Sequence, residues 1–157
     1  MTGVQACALP IFTKLDQPKT QEDFVAAAGV AQKLAGGNGK LGAVGFCYGG
    51  SVCNMLATRL PGLSVAVPFY GGAAALDKVP NIKAELTLVF AENDERINAA
   101  WGPYEAALKA AGVKYEAYKY PGTQHGFNND TTPRYDEAAA KQAWQRTLTA
   151  LNRNLRA

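Results

Sequence analysis

A short apolar run, LGAVGF (41–46), leads directly into Cys47, Tyr48, Gly49 and Gly50 and on into SVCNMLATRL. A short apolar run between Gly-rich turns reads as a buried strand and the stretch after it as a helix, so the chain must pass from strand to helix through one sharp turn at Cys47. Two further apolar runs, LSVAVPFY (63–70) and ELTLVFA (85–91), are rich in Val and Leu and short enough for strands buried on both faces, with a loop containing Pro80 between them. Residues 97–112 read as a helix closed by Gly112, despite Gly102 and Pro103. Residues 113–120 read as a strand whose three charges suit a sheet edge. A long helix is expected from about Asp136, with Trp144, Leu148, Leu151 and Leu155 as its apolar face. Upstream, TQEDFVAAAGVAQKLAGG (20–37) reads as an amphipathic helix capped by Thr20 and ended by Gly36 and Gly37, with Phe24, Ala27, Ala28, Ala31 and Leu34 on one face. Strands alternating with helices predict parallel pairing, a three-layer α/β sandwich, and chemistry at the carboxyl ends of the strands.

Composition narrows the classes of partner. The chain has 157 residues, 48% of them hydrophobic and 18% charged, which suits one compact domain. Sixteen Lys and Arg against thirteen Asp and Glu leave +3, and the basic residues are scattered singly, so no nucleic-acid partner is expected. One histidine, His125, and three cysteines, Cys7, Cys47 and Cys53, cannot supply the paired spacings of a structural zinc site, and no metal is expected. The odd cysteine count argues against a disulfide framework. No apolar stretch approaches the roughly 20 residues needed to cross a bilayer, so a soluble, cytoplasmic protein with no membrane partner is expected. The opening MTGVQACALPIF has no positive n-region and is broken by Pro10, so it fits no targeting class. It resembles one translated frame of a sequencing-library adapter, differing at Ala6, and residues 1–12 are read as non-native.

Each of three strand ends carries one reactive residue. Cys47 follows the 41–46 strand, Asp94 follows 85–91 and His125 follows 113–120, in the order nucleophile, acid, histidine. A thiol at a helix N-terminus gains thiolate character from the helix dipole, and a neighbouring imidazole can take its proton. His125 is the expected base, and Asp94 would hold the imidazole in the right tautomer, with Glu92 the fallback acid. The backbone N–H of Tyr48, first in the helix, would supply one oxyanion donor. Gly45 and Gly49, two positions either side of the nucleophile, and Gly50 beyond them would let helix and strand approach. Cys53, inside the helix, reads as a small buried hydrophobe.

The elbow GFCYGG and this order of residues match the α/β-hydrolase arrangement with cysteine in place of serine. The segments GAVGFCYGG (42–50), AENDERIN (91–98), YPGTQHGFNND (120–130) and RYDEAAAKQAWQRT (134–147) resemble the dienelactone hydrolase, or carboxymethylenebutenolidase, family. The resemblance implies an α/β-hydrolase sandwich and a Cys-Asp-His triad at Cys47, Asp94 and His125, with the oxyanion donor at Tyr48. It also implies hydrolysis of an enol lactone or related ester through a thioester, with neither metal nor organic cofactor. A family arginine that helps bind the substrate carboxylate follows the histidine, and here Arg134 is the candidate for that place.

The family has further strands before its nucleophile, carrying a glutamate that partners the cysteine, a second oxyanion donor and an arginine. None of the 46 residues before Cys47 reads as those strands. Residues 13–157 are therefore expected to be a partial α/β-hydrolase domain, the C-terminal part of a mostly parallel sheet, with turnover impaired. Two other readings remain: a noncatalytic remnant that binds a ligand or partner through its exposed sheet edge, or a redox-active thiol protein using Cys47.

Overall fold

A computed structural model describes residues 14–156, so the adapter-like segment 1–12 with its Cys7 lies outside the described residues. In chain order the elements are α1 (Gln17–Gln32), β1 (Leu41–Phe46), α2 (Tyr48–Arg59), β2 (Leu63–Phe69), a 3-10 turn (Leu76–Asn81), β3 (Glu85–Asn93), α3 (Glu95–Asn98), α4 (Trp101–Ala110), β4 (Tyr115–Gln124) and α5 (Glu137–Leu155). The four strands form a sheet of order β1-β2-β3-β4, every pair parallel. The α/β class and parallel pairing are thus as expected, and β4 lies at one end of the described sheet.

Two apolar layers hold helices to the sheet. On one face, Val52, Leu56 and Ala57 of α2 meet Ala66, Leu86 and Leu88 of the strands, joined by Val79, Tyr104 and Leu108. On the other, Val65, Val67, Phe69 and Val89 meet Ala143 and Ala150 of α5. Helices on both faces of one sheet make the three layers, the arrangement that parallel strands require to bury both sides.

Several boundaries differ from expectation. Asp16 caps α1 through the Lys19 N–H, and Pro18 follows in the first turn, so the helix starts before Thr20. The predicted 97–112 helix is two pieces, because Asp94 caps a separate turn, Glu95–Asn98, ahead of α4. The expected face of α5 holds in its second half, where Leu151 and Leu155 pack against the core, and is displaced in its first. Trp144 and Leu148 are exposed while Ala140, Ala143, Thr147 and Ala150 are buried. Small side chains let the helix lie close on the sheet, and the Thr147 hydroxyl satisfies itself by donating to the Ala143 carbonyl at 2.9 Å.

At the amino end of the sheet, buried Glu85 receives Lys114 at 2.5 Å and Arg153 of α5. Burial alone would raise its carboxyl, but these two cations hold it below the ordinary glutamate value. A carboxylate depressed in the folded state stabilises above its unfolded pKa and loses that contribution as pH falls through the folded value. In urea melts between about pH 6 and about pH 3, wild type should therefore lose more stability than Glu85→Gln. Equal losses in the two proteins would count against this network.

Candidate active site

All four strands run in the same direction, and their registers place their carboxyl ends side by side: Phe46 pairs with Phe69, and Asn93 with Gln124. The residues that follow these ends are Cys47 after β1, Tyr70 after β2, Asp94 after β3 and His125 after β4. Parallel pairing thereby gathers side chains separated by as many as 78 positions in the chain.

Cys47 occupies the strand-to-helix turn with φ 54° and ψ −115°, a left-handed backbone that costs a non-glycine residue roughly 1–3 kcal/mol. Close packing of the turn explains two of its three glycines. A Cβ on Gly45 would come within 2.2 Å of the Gly49 carbonyl oxygen, and one on Gly50 within 2.6 Å of the Phe69 carbonyl oxygen. The expectation for Gly49 is corrected, because a Cβ there would meet nothing within 4 Å. Gly45→Ala and Gly50→Ala should each cost about 3 kcal/mol, while Gly49→Ala should stay within about 1 kcal/mol of wild type in chemical denaturation. A Gly45→Ala protein as stable as wild type would contradict this packing.

His125 Nε2 lies 3.0 Å from Cys47 Sγ, and His125 Nδ1 lies 2.5 Å from Asp94 Oδ2. The Asp94 side chain is buried, which keeps water from competing for that contact. Asp94 also accepts the Ile97 N–H at the start of α3. Glu92, the fallback acid, serves elsewhere: it accepts the Gly122 N–H at 2.8 Å, while Asn93 donates to the Gly122 carbonyl at 3.2 Å. Together these two side chains pin the segment that delivers His125.

Electrostatics at the sulfur run against one expectation. Burial pushes the Cys47 thiol above its ordinary value and Asp94 adds to the rise, whereas Arg134 and Arg96 pull it down without cancelling it. Cys47 is nevertheless exposed at its surface, where substrate can reach the sulfur. Cys53 is buried and pushed up to about 12.

Beside Cys47 opens a cleft of about 360 Å³ lined by Phe46, Tyr70, Gly126, Asn128 and Arg134 among others. The Arg134 guanidinium lies over Gly126, just past the histidine, so the sequence candidate does reach the site. Tyr48 begins α2, and its hydroxyl donates to Gln17 at 3.0 Å. Tyr70 escaped the sequence reading, although its place at the end of an apolar run, before Gly71 and Gly72, was the available signal. Among the described residues no helix is long and apolar enough to cross a membrane.

The family profile matching this chain is that of the dienelactone hydrolase family, over residues 3–155, a match that extends into the adapter-like segment. A Saccharolobus solfataricus protein provisionally named carboxymethylenebutenolidase is 32% identical over 142 residues, covering 88% of this chain and 55% of its own length. A Bradyrhizobium protein provisionally named 2-oxo-3-(5-oxofuran-2-ylidene)propanoate lactonase is 29% identical, covering 90% of this chain and 62% of its own length. The chain thus spans little more than half the length of the curated relatives it matches. Among solved structures, a provisionally named dienelactone hydrolase from Klebsiella pneumoniae superposes with a TM-score of 0.78 at 28% identity, over 88% of this chain and 62% of that one. With the profile running across nearly the whole chain and the fold matching as closely, the chain belongs to the dienelactone hydrolase family of α/β-hydrolases.

Proposed function

We propose that the chain carries a Cys47-His125-Asp94 triad that hydrolyses an enol lactone or related carboxylic ester through a thioester. The observation that carries this reading is the continuous relay from Cys47 Sγ to His125 Nε2 and from His125 Nδ1 to Asp94 Oδ2, at 3.0 and 2.5 Å. The sulfur bonds to the substrate carbonyl carbon as His125 Nε2, 3.0 Å away, takes the thiol proton. Asp94 orients the ring and stabilises it once charged.

The oxygen of the tetrahedral adduct meets the Tyr48 backbone N–H at the start of α2. Collapse breaks the carbon–oxygen bond, and His125 returns its proton to the leaving oxygen, which in a lactone stays tethered to the acyl group. Water then attacks the thioester while His125 takes its proton, and as the carbon–sulfur bond breaks His125 returns that proton to the sulfur, releasing the acid and restoring the thiol. Arg134, over Gly126 at the cleft wall, is the group proposed to pair with a substrate carboxylate. In this reading residues 13–157 form part of one α/β-hydrolase domain acting on a small-molecule substrate in the cytoplasm.

Acylation can be followed by itself, because the leaving alcohol departs in that step. The test is nitrophenol release from p-nitrophenyl acetate: a burst from wild type and none from Cys47→Ala. A redox role needs a low-pKa thiol, so a Cys47 alkylation rate that already levels off well below pH 8 would favour that second reading.

A further inference from the structure

We propose that Tyr70 is a positioning residue that seats His125 against the nucleophile's helix, an inference that rests on the triad reading above. Its backbone is the one described non-glycine position besides Cys47 with positive φ, at 38°, and it is 2% exposed. An aromatic residue in that region is held there by its surroundings at a cost of roughly 1–3 kcal/mol.

The two flanks of Tyr70 brace the helix that carries Cys47. Ahead of it, the Phe69 carbonyl accepts the Cys47 N–H at 3.1 Å. Behind it, a Cβ on Gly71 would strike the Gly50 carbonyl carbon at 2.2 Å, and the Gly72 N–H donates to the Ser51 hydroxyl at 2.8 Å. The left-handed turn between these contacts aims the Tyr70 ring the other way, at the histidine segment. Its centroid lies 4.9 Å from the His125 ring and 5.6 Å from that of Phe127, which it meets edge-on, and its hydroxyl faces the Asn128 backbone N–H.

His125 has Asp94 at one nitrogen and Cys47 at the other, contacts that fix two points of the ring but leave its tilt free. The Tyr70 ring limits that tilt. Because the same short segment is bonded to Cys47 and Ser51, a shift of either partner is transmitted to the other.

The test compares wild type with Tyr70→Phe, Tyr70→Leu and Tyr70→Asn, reading the p-nitrophenyl acetate burst rate, KM, thermal midpoint and iodoacetamide labelling of the Cys47 peptide. The burst rate should fall about 100-fold in the Leu and Asn variants with KM within about twofold, and stay within about threefold in the Phe variant. Asparagine tolerates positive φ, so Tyr70→Asn removes the ring without adding backbone strain and keeps the test open if Tyr70→Leu fails to fold. Wild-type burst rates in both ring-less variants would overturn the proposal, as would a Tyr70→Phe loss as large as that of Tyr70→Leu. A wild-type chain that neither acylates nor labels at Cys47 would instead overturn the triad reading beneath it.

Discussion

Cys47→Ala should bring ester cleavage down to the buffer rate, a loss of at least about 10⁴-fold, because nucleophile and base act as a unit and the remaining groups have no bond-forming partner. The other thiol in the described residues cannot replace it. Cys53 is 3% exposed and held as a neutral thiol by burial, with its pKa near 12, and it faces the strand behind the elbow, where its sulfur would lie 3.0 Å from a Cβ on Gly45. The variant should remain folded, since Cys47 makes no side-chain cap and its hydrogen bond to His125 ties together two surface-facing groups. Burst amplitude measured at matched far-ultraviolet circular dichroism checks both halves of the expectation. A folded Cys47→Ala protein that still releases nitrophenol would move the nucleophile elsewhere.

Asp94→Asn carries the second large effect. A carboxylate accepts from His125 Nδ1 and so leaves Nε2 free to take the thiol proton, whereas a carboxamide can donate to Nδ1 and put the ring proton on Nε2, facing the sulfur. The corresponding change in a Ser-His-Asp triad costs about 10⁴-fold, and a loss of roughly 10³ to 10⁴ in the acylation rate is expected here. Structure should be spared, because Asp94 caps α3 and asparagine caps a helix about as well. The companion variant Glu92→Gln should lose far less, since Glu92 holds the Gly122 N–H and does not touch His125. Comparable losses at the two positions would show that the segment 122–125 needs only anchoring, and that the aspartate has no special role.

The parallel architecture and the approximate places of Cys47, Asp94 and His125 could be read before any coordinates because each rests on local signals. An apolar run bounded by glycines marks a strand, and the carboxyl end of a strand marks where a side chain can reach a shared edge. What was not legible depends on distance between elements. Trp144 and Leu148 have the right spacing for a helix face, yet the face is chosen by how near α5 lies to the sheet, and that selects Ala140, Ala143 and Ala150. Spacing from Cys47 singles out Gly49, whereas the close approach of Phe69 and Gly71 makes Gly50 the constrained position.

The direction of the Cys47 shift was likewise out of reach of motif reading. It is a balance between burial and charges contributed by Asp94, Arg96 and Arg134 from three places in the chain. Tyr70 carries no nucleophile, acid or base chemistry that a motif would mark, and its signature is a backbone angle.

The most direct measurement is peptide-level mass spectrometry of the chain quenched in acid within the burst with p-nitrophenyl acetate. The account predicts an added acetyl group on the peptide containing Cys47, removed by hydroxylamine as a thioester should be, and absent from Cys47→Ala. Ester hydrolysis proceeding with no acyl group on Cys47, or with the group on another residue, would contradict it.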